Sequence, residues 1–336
     1  MRSIEGLIVR AIINSQCYPE SLKGQSHFRA YLALAAVCFF WGTTYLGIRI
    51  ALEWVHPLEM MCVRYFISGA VMLAIAFFTK SHVPSGRELL LTAIFGVITI
   101  GVGTGLLAFA ELLIPSGLAA LMITMQPFWM AGVEAVIPGG ERISTLAILG
   151  MLVGVAGTAL LVGPGAIQEG IGGPVVKGFW MLQIGCLGWS LGSILHRRQG
   201  AKAHPVVSAA IQQMATGLFF MIPGAIVLKN HPVAWSWRGA GAILYLAVFG
   251  GIVGYSAYVY ALSELPVSIV SSYTYINPIV ALWLGWLFYR EPIGTREIVA
   301  MVIIFAGVAI VRRFAHQPTP RIEKSSPACA NRAHTS

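Results

Sequence analysis

Aspartate is absent from this chain: all 13 acidic side chains are glutamate, and Asp, Glu, Lys and Arg together supply only 10% of its 336 residues. The missing residue type argues against aspartate-dependent chemistry, including intramembrane aspartyl proteolysis and most Mg²⁺-dependent phosphoryl transfer. So low a charge content also argues against a soluble globular domain, where about a quarter of residues are charged. Cysteine is sparse and unpatterned. Cys17, Cys38, Cys62, Cys186 and Cys329 form no C-x-x-C pair, and three of the five fall inside apolar runs, where they read as small core hydrophobes. The histidines (His27, His56, His82, His196, His204, His231, His316, His334) fall at the ends of apolar runs, in loops or in tails. A membrane-embedded enzyme would need converging His, Asp, Cys or Glu ligands, so neither catalysis nor a metal or other cofactor is expected.

What fills the chain is apolar. Hydrophobic residues make up 57% of it, and the mean hydropathy of +0.76 is that of a polytopic membrane protein. The net charge of +9 comes from 22 Lys and Arg, most of them in tails and loops, which points to orientation in a bilayer and to no nucleic-acid partner. Apolar runs of spanning length occur at Ala30 to Ala51, Pro57 to Phe78, Leu89 to Ala110, Pro115 to Ile137 and Leu146 to Val162. After a Gly/Pro-rich loop, Gly163 to Pro174, a second set follows at Gly178 to Leu195, Pro205 to Leu228, Gly239 to Leu262, Pro266 to Leu287 and Thr295 to Val311. Residues 1–29 are basic, with Arg10 interrupting their one apolar run, and read as a cytosolic extension, not as a signal peptide.

The stretch from Pro266 to Leu287 carries Pro278 in its middle and Ser, Tyr and Asn side chains along it. A proline inside a soluble helix costs roughly 3 kcal/mol, whereas a membrane helix tolerates it where neighbours satisfy the freed carbonyl. This span therefore belongs on an internal cavity. The pattern recurs from Pro115 to Ile137, where Pro115, Gln126 and Pro127 match Pro266, Asn277 and Pro278 at an offset of 151. At an offset of 148, Cys38, Trp41, Arg49, His56-Pro57 and Gly69 match Cys186, Trp189, Arg197, His204-Pro205 and Gly217, and Gly157 matches Gly307 at 150. An odd number of spans per repeat inserts the second repeat upside down. The expected fold is an all-α polytopic membrane protein of ten transmembrane helices in two inverted five-helix repeats. They occupy residues 30–162 and 178–313, with a linker at 163–177 and a disordered cytosolic tail at 314–336. Many secondary transporters follow this plan, with the substrate near the midplane between the repeats.

Polar and aromatic residues at helical spacing mark candidate walls of that site. Trp41, Thr44 and Tyr45 share one face of the first span, Trp189 and Ser193 repeat the spacing in the sixth, and Tyr255 with Tyr258 and Tyr273 with Asn277 do so in the eighth and ninth. Together with Gln126 they would form an aromatic cage with orienting polar groups, suited to an amphipathic or weakly cationic organic solute; ordinary helix packing would also place aromatics there. Helix kinks are expected at Pro127 and Pro278. Arg64 is the one Lys or Arg well inside a span; the stronger reading is structural, an ion pair with Glu59 or Glu111 or snorkelling to the outer interface, the other a contact with solute. Glu111 and Glu134 lie near span ends, and whether Glu111 takes part in proton coupling is left open. Gly101/Gly105, Gly150/Gly154, Gly188/Gly192 and Gly250/Gly254 are GxxxG pairs for close helix packing, with a homodimer through Gly150 and Gly154 as an alternative use.

Three runs carry a family resemblance: Phe40 to Gly69 with Trp41-Gly42 and Arg64, Glu111 to Leu121, and Gly254 to Gly285 with the second of the paired prolines. They resemble the drug/metabolite transporter superfamily and, within it, the EamA-type ten-helix exporters of the bacterial inner membrane, near the YedA-like group. Thr104 stands between Gly103 and Gly105 where related sequences often carry Asn. The resemblance implies export of small organic metabolites or drug-like compounds, amino-acid-like or amphipathic, by alternating access, with both termini cytosolic. A passive channel or lipid-handling protein is the alternative that broken, repeated helices leave open.

The expected orientation has a direct check. With the N-terminus inside, 15 Lys and Arg lie inside and 6 outside, Arg64 completing the 22; the excess resides in Arg29, Arg312, Arg313 and their flanks. A cysteine at Gln168, in a background without native cysteines, should be labelled by an impermeant maleimide in intact cells. Labelling only after permeabilisation would reverse the orientation.

Overall fold

The structure is a computed structural model that describes residues 20–140, 143–230, 236–265, 267–270 and 272–314. The basic extension as far as residue 19, the tail from residue 315, and Pro266 with its match to Pro115 lie outside the described residues. All regular structure among the described residues is helical. We name the helices α1 (Glu20–Leu52), α2 (Pro57–Phe78), α3 (Gly86–Ala110), α4 (Ser116–Val136), α5 (Thr145–Glu169), α6 (Pro174–Arg198) and α7 (Pro205–Asn230). Three joined segments, Trp237–Tyr245, Leu246–Val253 and Gly254–Glu264, form α8; Val267–Val270 and Tyr273–Tyr289 form α9; Thr295–Phe314 is α10. Eight of them, α1 to α8, are long and apolar enough to cross a membrane. The main segment of α9 has 17 residues, and α10 carries Arg296, Glu297, Arg312 and Arg313 at its ends.

Two boundaries differ from the sequence expectation. Helix α5 continues through Pro164 to Glu169, and α6 starts at Pro174, so the expected loop from Gly163 to Pro174 shrinks to Gly170–Gly173. Glycine and proline are poor punctuation in an apolar helix, because without competing water the backbone keeps its own hydrogen bonds. Helix α1 likewise begins ten residues before Ala30.

Local sequence explains the starts that repeat. At α2, His56 caps the helix: its Nδ1 accepts from the Leu58 N–H at 3.3 Å, while Glu59 Oε2 accepts from the His56 N–H at 3.0 Å. His204 does the same for α7, its Nδ1 accepting from the Val206 N–H at 3.3 Å. The repeated His-Pro is thus a helix start, with proline in the first turn where its missing N–H costs nothing. The start of α4 is held by Glu291, whose carboxylate accepts from the Ser116 N–H and hydroxyl, both at 2.9 Å, and from the Gly117 N–H at 3.0 Å.

Packing follows the repeat. Helix α2 pairs with its counterpart α7, and α5 with α10; α1 packs on α8 and α9 as α6 packs on α3 and α4. The α2–α7 crossing is reciprocal. A Cβ at Gly69 would fall on the Met214 backbone, and one at Gly217 on the Phe66 backbone, and 66 and 214 are themselves 148 apart. Such mutual contact places a pseudo-twofold axis between the two glycines. The α5–α10 crossing uses Gly150 and Gly157 against Gly307 and Ile304, while Gly154 receives the ring of Phe128. Gly150 and Gly154 are therefore covered within the chain, which removes the packing basis for a dimer through them.

The ends of the helices give their directions. Arg49, near the end of α1, donates to the Glu111 carbonyl at the end of α3, at 2.7 Å. Arg197 and Arg198, at the end of α6, instead pair with Glu134 near the end of α4, at 2.6 and 2.7 Å, and Gln199 donates to Thr92 near the start of α3. Because α3 and α4 run antiparallel, α1 and its counterpart α6 point in opposite directions. Burial is that of a bilayer protein: Leu149, Leu152, Phe219, Ile222 and Trp286 face outward, and Ser68, Gln212, Gln213 and Thr216 lie inside.

The reciprocal crossing predicts that Gly69→Ala and Gly217→Ala each lower the thermal stability of the purified protein by about 1–3 kcal/mol through overpacking. Gly132→Ala, with nothing within 4 Å of the added methyl, should leave it unchanged or raise it. Thermal unfolding followed by size-exclusion chromatography measures this, and equal behaviour of all three variants would contradict the crossing.

Candidate functional site

Irregular backbone concentrates at one level of the bundle. In α3 the segment Val97–Val102 is a π-helix, and in α8 the segment Leu246–Val253 is another; Val97 and Leu246 are 149 apart. Neither irregularity is announced by periodicity, although the glycines at 101, 103, 105, 250, 251 and 254 mark both stretches. A π-turn frees and redirects backbone groups and is frequent at functional sites. Helix α4 breaks at Thr124 and Met125, whose N–H groups turn back to the carbonyls of Leu121 and Met122. Pro127 is then the second residue of the new segment Gln126–Val136. The expected kink at Pro127 is thus a break three residues earlier, with the proline in a first turn that tolerates it. Pro278 does lie inside its helical segment.

These irregular segments enclose a cavity of about 360 Å³ between the two halves of the chain. Trp41, Thr44, Tyr45, Gln126 and Trp189 all line it, as do Ser193, Tyr255, Tyr258, Tyr273 and Asn277, so the structure brings all ten candidate residues together. Pro278 and Arg64 also reach it, whereas Pro127 and Glu111 do not. Sequence reasoning missed Thr99, Thr124, Gln212, Gln213 and Thr274, all cavity residues; single polar residues in apolar helices were the available signal. His196 lines the cavity too, although it sits near the end of α6, and its Nδ1 is buried without a partner.

One wall is aromatic. The Trp41 ring lies 5.2 Å from Tyr258 and 5.1 Å from Tyr273, Tyr258 lies 5.8 Å from Tyr273, and Tyr255 lies 6.1 Å from Tyr258. Edge-to-face geometry holds the Trp41–Tyr273 and Tyr258–Tyr273 pairs, each near 88°. The Trp41 indole donates to the Gly250 carbonyl at 3.1 Å, anchoring the cluster to the π-segment of α8. The second repeat's Trp189 packs instead on Gly103 of α3, with Leu106, Phe109 and Met122 at the positions matching Tyr255, Tyr258 and Tyr273. The cavity is thus symmetric in backbone and asymmetric in chemistry.

The two amides have partners inside the protein. Gln126 Nε2 donates to the Cys186 carbonyl at 3.1 Å and to Ser190 Oγ at 2.6 Å. Asn277, with its amide nitrogen turned to the nearby carbonyls, donates to Cys38 at 2.9 Å and Tyr273 at 3.1 Å. Cys38 and Cys186 are repeat counterparts, so each amide clamps a broken helix to the first helix of the other repeat.

The charges differ from expectation. No carboxylate lies within 4.0 Å of Arg64 among the described residues. Glu59 is engaged at the start of α2, and the Glu111 carboxylate is fully buried with neither oxygen hydrogen-bonded. The expected ion pair of Arg64 with Glu59 or Glu111 is therefore not formed; the guanidinium lies 4.8 Å over the Tyr65 ring instead. Glu134 belongs to the ion pairs with Arg197 and Arg198. No group of three or more His, Cys, Asp or Glu is placed to hold a metal among the described residues.

Residues 28–163 and 176–313 match the EamA-like transporter family. An uncharacterized inner membrane transporter of Escherichia coli (strain K12), YedA, is 31% identical over 280 residues, covering 83% of this chain and 89% of that one. A WAT1-related chloroplastic protein of Arabidopsis thaliana is 26% identical over 301 residues, covering 86% and 70%. The uncharacterized transporter YvbV of Bacillus subtilis (strain 168) is 23% identical over 294 residues, covering 84% and 91%. A solved crystal structure shares the fold with a TM-score of 0.58 at 21% identity, covering 85% of this chain and 97% of its own.

The amide clamps should register as stability. Gln126→Leu and Asn277→Leu each remove an interhelical donor, so each should destabilise the ligand-free protein by about 1 kcal/mol per lost hydrogen bond, read as a lower melting temperature. Unchanged melting in both would show that these amides do not hold the broken helices.

Proposed function

The chain belongs to the EamA-like transporter family, and on that premise we propose that it is a secondary transporter exporting small amphipathic organic solutes across the bacterial inner membrane by alternating access. The observation that carries this is the cavity itself: it lies between the halves, and its walls come from matching helices of both. In this reading the chain crosses the membrane ten times as two inverted repeats with both termini cytosolic, and the two short or charged helices α9 and α10 complete the second repeat. Rocking one repeat against the other about the α2–α7 crossing would expose the same cavity to each side in turn. Named relatives being transporters, and the family one of transporters and not of enzymes, supports the class.

The solute would lie against Trp41, Tyr45, Tyr255, Tyr258 and Tyr273, with Trp189 beside α3 completing the wall. Thr44, Ser193 and the amide oxygens of Gln126 and Asn277 would orient it. A cavity of about 360 Å³ suits a single-ring or short-chain compound better than a lipid, which separates this reading from a lipid-handling protein. Flat rings on one wall favour an apolar or aromatic body.

Counterflow in proteoliposomes tests the reading: labelled solute should accumulate transiently against its gradient when the lumen is preloaded with unlabelled solute. Simple equilibration would indicate a channel and overturn the proposal. Trp41→Ala and Tyr273→Ala should lower the initial rate at least about tenfold, equivalent to 1.4 kcal/mol of lost contact, at comparable yields of folded protein, with Ile303→Ala as the unaffected control. Counterflow by both variants at the wild-type rate would remove the aromatic wall from the account.

A further inference from the structure

Arg64 is 5% exposed and lies on the cavity wall, and its Nε and Nη1 have no hydrogen-bond partner. It is the one Lys, Arg or Glu among the described residues that line the cavity. No carboxylate among the described residues lies within 4.0 Å of it; the buried Glu111 feels its charge from farther off, with neither oxygen hydrogen-bonded, and a buried guanidinium so incompletely paired is costly. Its position is set from two sides. The guanidinium packs over Tyr65, and a Cβ at Gly250 in the α8 π-segment would stand 3.0 Å from Nη2 and press on it. The Gly250 carbonyl is the group that takes the Trp41 indole N–H. The positive charge and the aromatic wall therefore adjoin at Gly250.

We propose that Arg64 is the counter-charge for the solute, and that the cavity takes organic monocarboxylates: a single carboxylate paired with the guanidinium and an apolar or aromatic body against Trp41, Tyr258 and Tyr273. A carboxylate matches the planar donor fork of arginine. An amine finds no acid on the cavity wall among the described residues, which reverses the weakly cationic solute expected from the aromatic residues alone. A phosphate monoester brings a second negative charge that one arginine does not neutralise. This inference rests on the transport reading and adds the charge of what is carried.

The test uses the purified full chain and matched probes: phenylacetate, phenylacetamide and 2-phenylethylamine, with hexanoate and octanoate against their amides. Dissociation constants come from calorimetry or tryptophan fluorescence. At least one carboxylate is expected to bind about tenfold or more tighter than its own amide, as for a hydrogen bond to a charged group, and the amine no better than the amide. Arg64→Gln should reduce the carboxylate to the affinity of the amide while leaving the amide unchanged. Arg64→Lys, which keeps the charge and loses the fork, should retain a smaller preference, so the question is decided even where Arg64→Gln does not fold. A panel in which no carboxylate binds tighter than its amide, including one in which nothing binds, overturns the proposal, as does Arg64→Gln binding carboxylate like wild type. Counterflow of neutral solutes by a protein that shows no carboxylate preference would remove the charge assignment and leave the transporter standing.

Discussion

Everything in this molecule is arranged around the place where α2 and α7 touch backbone to backbone. Gly69 and Gly217 leave no space there for even a methyl group, and the contact is reciprocal because the two glycines are copies of one position. A close crossing of two long apolar helices gains dispersion contacts that lipid tails cannot match, which is how helices associate without a hydrophobic drive between them. Once these two cross on the axis, the other helices of each repeat take matching places. The cavity falls beside the crossing, with α1, α3, α4, α6, α8 and α9 around it.

The second constraint is that a backbone group in hydrocarbon must be satisfied within the protein. Regular helix therefore faces lipid, as along α5 with its exposed Leu149 and Leu152, and the irregular segments face the cavity. The π-segments of α3 and α8 and the break in α4 contribute Thr99, Ile100, Thr124, Gly250 and Gly251 to its wall. Side chains complete the accounting. The Trp41 indole takes one carbonyl of a π-segment, while Gln126 and Asn277 tie the broken helices to carbonyls across the repeat boundary.

Charge is divided between the ends of the bundle and its middle. At the ends it is paired: Glu134 with Arg197 and Arg198, and Glu53 with Arg238 and the Tyr289 hydroxyl. Exposed pairs of this kind contribute little energy each, but they mark which helix ends lie together. In the middle stands Arg64, the one Lys, Arg or Glu on the cavity wall among the described residues.

The sequence by itself determined the class and the doubled plan, since the lack of charge leaves only a membrane solvent, and duplicated residues such as His56 and His204 do the same local work in each copy. It also marked ten of the side chains that gather at the cavity, polar or aromatic residues at helical spacing inside apolar spans, but not Thr99, Thr124, Gln212, Gln213 or Thr274, further polar residues in apolar spans. What each gathered residue does was decided by tertiary structure. Whether Arg64 meets an acid depends on angles and distances between helices far apart in the chain, and the reach of Glu59 and Glu111 turns out to be taken up or too short. The roles of Gln126 and Asn277 as clamps, and the break that replaces a kink at Pro127, depend on which carbonyls a neighbouring helix presents. A pattern of residue types carries periodicity and polarity, but hydrogen-bond partners more than a hundred residues away are chosen only when the helices cross.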